Sequence, residues 1–108
     1  MTKKYVEKRL LEIGIPASYR GFDYITDAIM LLLNPKWDCD KITAIYYAVA
    51  SKNNTSPQNV EHCMRTTFKT ARNEGNEITE KYLGKHLSNN KNTLFTLFRY
   101  LSLENGAA

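Results

Sequence analysis

Two amphipathic stretches separated by Asn53, Asn54, Thr55, Ser56 and Pro57 constrain this chain more than any other feature of it. Before the break, residues 42–52 place Ile42, Ile45, Tyr46, Val49 and Ala50 on one face at helical spacing. After it, Val60, Cys63, Met64, Phe68 and Ala71, with Thr67 among them, form one continuous stripe over residues 57–74. Asparagine tolerates the left-handed backbone that a tight interhelical turn requires. Ser56 stands where an N-cap belongs, and Pro57 occupies the first helical position, where its missing N–H costs nothing. Two helices joined by a turn of about four residues have the dimensions of a helix-turn-helix, here spanning about residues 42–74. Such a pair needs a small residue where the second helix crosses the first, and Ala50 supplies it. Asn54 takes the turn position often held by glycine, while Asn53 stands where an apolar residue is more usual.

The rest of the chain also reads as helix. Tyr5, Val6, Leu10, Leu11 and Ile13 outline a first helix that stops at Gly14 and Pro16. From Gly21 a second runs through Phe22, Ile25, Ala28, Ile29, Leu32 and Leu33 to the break at Asn34 and Pro35. Residues 36–41 read as a loop, with Trp37 plugging an edge of the core. Asn76 is placed to cap a short fifth helix through Ile78, Tyr82 and Leu83, and residues 86–92 are polar enough to be a loop. A last helix starting near Asn92 carries Leu94, Phe95, Leu97, Phe98, Leu101 and Leu103, more apolar surface than one core face requires. That excess fits either a dimer or domain contact or burial at the centre of the fold. With no strand-like alternation and no internal repeat, the expected fold is all-α, a compact bundle of about six helices in one domain over residues 1–108.

Composition excludes more than it selects. No apolar run reaches the length of a membrane span and no signal peptide opens the chain, so a cytoplasmic protein with no membrane partner is expected. Two cysteines, Cys39 and Cys63, are too few for a disulfide framework or a four-ligand zinc site; both read as reduced, with Cys63 in the core. His62 and His86 are far apart and lack partners at metal-ligand spacing. Phosphate loop, paired carboxylates and nucleophile motif are all missing from the sequence, so neither catalysis, a metal nor a cofactor is expected. Among the seven tyrosines, Tyr46, Tyr82 and Tyr100 fall on apolar stripes, which leaves too few aromatics for a single-strand stacking platform. The net charge of +4 permits a polyanionic partner without requiring one.

The placement of charge is more informative. Opposite its apolar stripe, the 57–74 helix displays Gln58, Glu61, His62, Arg65, Thr66, Lys69 and Arg72. In a recognition helix the first turns enter the major groove, where Arg reads guanine, Gln reads adenine and Glu accepts from cytosine. Gln58, Glu61, His62 and Arg65 occupy that base-reading part. Thr66, Lys69 and Arg72 lie further along, where phosphates are met, and Arg20 joins them as a backbone contact. A charged outer face is also what a plain solvated helix displays, so the pattern alone leaves both readings open.

From about Leu11 to Asn76, and more weakly beyond, the sequence resembles the DNA-binding output domain of the sporulation master regulator, stage zero sporulation protein A. The resemblance rests on Glu12-Ile-Gly-Ile-Pro-Ala17, Arg20-Gly21 followed by an aromatic residue, Ile42-Thr43, Asn54-Thr55, Val60-Glu61, Arg65 and Gly75-Asn76. It implies a six-helix bundle that binds a short double-stranded DNA box as a tandem pair, with the helix over residues 57–74 in the major groove and DNA contacts for Glu61 and Arg65. His62 stands where the family carries a base-reading Arg, and Asn59 replaces another. A neutral histidine cannot reproduce the bidentate fork of arginine, which implies a different preferred box or a lower affinity. The family's full-length proteins begin with a phosphoacceptor receiver domain, whereas this sequence holds the output domain only. The expected function is therefore sequence-specific DNA binding by a transcription regulator, with homodimerisation or tandem binding on DNA and RNA polymerase as further partners. The alternative is a helical module that binds a regulatory protein in place of DNA.

Overall fold

A computed structural model describes residues 1–85 and 88–106. Six helices follow one another: α1 (Lys3–Ile13), α2 (Arg20–Leu33), α3 (Ile42–Lys52), α4 (Pro57–Glu74), α5 (Glu77–Leu83) and α6 (Asn90–Gly106). Among the described residues there is no strand. The all-α bundle expected from periodicity is what the chain adopts.

Helix boundaries follow side-chain chemistry. The Thr2 hydroxyl accepts from the Tyr5 N–H at 3.1 Å and starts α1 two residues before its apolar pattern does. Gly14, at φ 102°, ends it by donating to the Leu10 and Leu11 carbonyls, a left-handed cap that a residue with a Cβ enters only at a cost. Asn76 accepts from Ile78 and Thr79 N–H groups while the Thr79 hydroxyl accepts from the Asn76 N–H, a reciprocal box that starts α5. The Thr79 hydroxyl also donates to the Ile13 carbonyl at 2.6 Å, tying α5 to the end of α1.

Two helices form the centre. α2 packs against α1, α3, α4 and α6, and α4 packs against α2, α3, α5 and α6. Of the stripe read from the sequence of α4, Val60, Met64, Thr67, Phe68 and Ala71 are all closed off from solvent. Burying a side chain such as Phe68 or Met64 contributes about 1.5–3 kcal/mol each. Cys63 departs from the expected core position: it is half-buried at the rim of the α2–α4 contact. Its partner across that contact, Gly21, explains why, because the two helices approach so closely there that the space is filled by backbone and by the Thr67 hydroxyl. Trp37 packs against the core edge and its Nε1 donates to the Cys39 carbonyl at 2.7 Å.

The last helix starts earlier than its apolar pattern. α6 begins at Asn90, two residues before Asn92, because Asn90 is buried and Asn89 caps the turn through its side chain, accepting from the Asn92 N–H at 2.8 Å. Of the polar run read as a loop, residues 86 and 87 lie outside the described residues. α6 buries Leu94, Leu97 and Leu101, half-buries Phe95 and Phe98, and leaves Leu103 63% exposed. Its end is held by a polar cluster in which Arg9 Nη2 donates to the Tyr82 hydroxyl at 2.7 Å and that hydroxyl donates to Glu104 at 2.6 Å.

A Cβ added at Gly21 would overlap the Thr67 hydroxyl and the Cys63 carbonyl, one of them backbone and unable to swing away. We expect Gly21→Ala to lower stability by about 2 kcal/mol, in the range of core overpacking. Urea denaturation of the variant beside the parent checks it, and an unchanged midpoint would refute the close approach.

Candidate nucleic-acid interface

The turn between α3 and α4 is fixed from below by a buried carboxylate. Asp27 of α2, with its side chain 8% exposed, accepts from Lys52 Nζ at 2.8 Å and from Asn53 Nδ2 at 3.0 Å. Asn53 Nδ2 also donates to the Val49 carbonyl at 2.8 Å. The residue that looked out of place in the sequence is thus the link between the turn and α2, a role an apolar side chain cannot take. Asn54 follows in the left-handed region at φ 53°, the one non-glycine among the described residues with positive φ. Thr55 N–H donates to the Ala50 carbonyl at 3.0 Å, and the Ser56 hydroxyl caps α4 by accepting from the Asn59 N–H at 3.1 Å. Asn59 bridges back, its amide donating to the Thr55 hydroxyl at 2.9 Å and to the Tyr24 hydroxyl at 3.4 Å. Every backbone reversal that aims α4 has a named hydrogen bond behind it.

The outer face of α4 is polar and open. Gln58, His62, Arg65 and Lys69 are exposed, and Glu61 and Thr66 are half-buried. Arg65 Nε donates to Glu61 at 3.0 Å, one turn back, and Arg65 Nη2 lies 3.3 Å from His62 Nδ1. A guanidinium only donates, so in this contact Nδ1 is the acceptor. The structure therefore brings Glu61, His62 and Arg65 into one cluster, with Gln58 a turn towards the helix start. Arg20, exposed at the start of α2, joins Tyr19, His62, Cys63 and Thr66 around a shallow notch, which places it beside the α4 stripe despite its distance in sequence.

Arg72 is placed differently from its neighbours on the stripe. Its guanidinium donates to the Leu83 carbonyl at 2.7 Å and to the Thr93 hydroxyl at 2.6 Å, and burial pulls its pKa below the usual arginine value. It satisfies the carbonyl left open at the end of α5 and joins that end to α6. The helical period put Arg72 on the outer face, but only the packing of α5 and α6 against α4 decides that the side chain turns towards them.

Tyr47, not among the residues the sequence pattern singles out, is 67% exposed on α3 and borders a groove shared with Thr43, Tyr46, Gln58 and Glu61. Its position off the apolar stripe of α3 was the available signal. Tyr46, on that stripe, is half-buried; burial pushes its phenol pKa up, partly offset by the hydrogen bond from Asn90. Among the described residues no group of histidine, cysteine and carboxylate side chains is arranged to hold a metal ion, and no helix is long and apolar enough to cross a membrane.

A helix-turn-helix carried on a six-helix bundle, its second helix presenting an open polar face, defines the class of protein. Comparison with protein families narrows it further. The family described as sporulation initiation factor Spo0A C terminal matches residues 6–101, and the chain belongs to that family.

Because Asp27 is buried and accepts from two donors at the turn, Asp27→Ala removes the acceptor that ties Lys52 and Asn53 to α2 and is expected to cost about 2 kcal/mol. Lys52→Ala, which removes a side chain 61% exposed, should cost under about 1 kcal/mol. Thermal and urea unfolding of the two variants give the ratio, and equal losses would sink the assignment.

Proposed function

We propose that this domain binds double-stranded DNA in a sequence-dependent manner, as the output domain of a transcription regulator, with the first half of α4 in the major groove. The observation that carries the reading is the open cluster of Glu61, His62 and Arg65 on the helix that follows the turn, in a chain that belongs to the family named above. Gln58, Glu61, His62 and Arg65 face base edges in this reading, and Arg20, Thr66 and Lys69 meet phosphates. Arg72 is left to its internal contacts and is not assigned to DNA.

The intrahelical contacts of Arg65 give its role a physical form. In free protein the guanidinium is held by Glu61 and His62, so it is oriented along the groove-facing side before DNA arrives. On a guanine it exchanges those exposed contacts, worth little in water, for two donors to O6 and N7. Glu61 is then free to accept from a cytosine amino group, and His62 offers a single donor from Nε2. One donor reads less than the arginine fork it replaces, which supports a looser requirement at the base pair His62 faces.

Fluorescence anisotropy with a duplex carrying the family's box and with a scrambled duplex, each over a salt series, tests the reading. Tighter binding to the box with a steep salt slope is expected. Arg65→Ala should cost about 1–3 kcal/mol on the preferred duplex and narrow the gap to the scrambled one, whereas Lys69→Ala should weaken both alike. Absence of binding to either duplex at low salt would transfer the α4 face to a protein partner.

A further inference from the structure

We infer that the start of α6 is a second DNA-contacting element, with Lys91 on the phosphates that flank the groove entered by α4 and Asn90 as the positioning residue that holds it there. The inference rests on the DNA-binding reading of α4 and extends it to a part of the chain that neither the helix-turn-helix pattern nor the sequence resemblance brought in.

The first observation is an asparagine in the wrong place for a surface loop. Asn90 is 7% exposed, and its amide donates to the Glu61 carbonyl at 3.0 Å and to the Tyr46 hydroxyl at 3.1 Å. A buried amide is retained at a cost unless both its partners are geometrically fixed, and here they are consecutive elements of the helix-turn-helix. The first residue of α6 is thereby fastened to α3 and to the same turn of α4 that carries Glu61. The other side-chain hydrogen bonds that tie that turn to residues outside α4, among the described residues, are with Tyr24 of α2 and with Thr55 and Ser56 just ahead of α4.

The second observation is the open groove this contact creates. Ile42, Tyr46, Glu61, Arg65, Asn89 and Lys91 border it, so Lys91 stands across a shared cleft from the arginine assigned to base reading. Lys91 is exposed and makes no ion pair among the described residues, while Glu61, the carboxylate bordering the same cleft, is already paired with Arg65. An unpaired cation fixed at one backbone point beside a recognition helix meets the phosphate ridge that walls the major groove. A phosphate contact there adds affinity and register without sequence information.

The test uses the whole chain and the two duplexes already described, over a salt series. Lys91→Ala is a surface change that leaves Asn90 in place. It should lower the slope of log affinity against log salt by about one and weaken the box and scrambled duplexes by the same factor. The defect should accordingly shrink by roughly fourfold as salt is raised about fourfold. Lys8→Ala, on α1, which packs against α2 and α5, removes an equal charge away from the α4 face and should leave the slope near that of the parent. Asn90→Ala, with its fold checked by circular dichroism, should show the same loss of slope as Lys91→Ala although Lys91 remains. A Lys91→Ala slope equal to that of the parent and of Lys8→Ala, in a chain that still prefers the box, would overturn this inference and leave the α4 reading intact. Failure of the parent chain to bind either duplex would overturn both.

Discussion

The close approach of α2 to α4 at Gly21 is the constraint on which the rest of the structure depends. Thr67 directs its hydroxyl to the Cys63 carbonyl one turn back, at 2.7 Å, which draws the polar atom onto its own helix and leaves a flat patch. Gly21, with no side chain, lies on that patch. Because α3 and α6 each pack on both α2 and α4, the distance at this one crossing sets where they meet the pair. A wider crossing would open the layer occupied by Ile25, Met64 and Phe68, all of them 0–1% exposed.

Polar groups then convert a packed bundle into an aimed one. Apolar stripes specify which faces meet but tolerate sliding and rotation, since dispersion and hydrophobic burial have little directionality. The carboxylate of Asp27 under the turn, the Asn59 bridge to Thr55 and Tyr24, and the Asn90 clasp on Glu61 and Tyr46 each tie a backbone position to a neighbouring element. Each is satisfied on more than one side, as buried polar groups must be to avoid a net penalty. Arg72 does the same work at the far end of α4, where it covers the Leu83 carbonyl.

Much of this was legible from residue order, and the exceptions share one cause. Helix existence, the turn at Asn54, the Ser56 cap and the buried stripe of α4 follow from local spacing and local chemistry, and the structure contains them. What local spacing cannot show is whether a polar residue has a distant partner. Asn53 looked like a flaw in the motif until Asp27 came to lie beneath it. Asn90 sits in a polar run with the composition of a loop, and its partners Glu61 and Tyr46 are distant in sequence. Arg72 looked outward because a helical wheel has no knowledge of α5 and α6. Cys63 looked buried because an apolar stripe is drawn without the width of the neighbouring crossing. For the candidate site, the cluster of Glu61, His62 and Arg65 follows from three- and four-residue spacing alone, whereas Arg20 and Lys91 come beside it only through the tertiary fold.

The fastening of the turn to Asp27 has a consequence for how the molecule opens. α3 packs on α2, α4 packs on α2 and α6, and the turn between α3 and α4 is bonded to a side chain more than twenty positions earlier in the chain. The helix-turn-helix therefore has no independent stability to draw on: a peptide of residues 42–74 would lose both the cover over Val60 and Phe68 and the bond that ties Asn53 to Asp27. In the whole domain, amide hydrogens in α4 should exchange with solvent only when α2 also detaches, so that α2, α3 and α4 form a single cooperative unit.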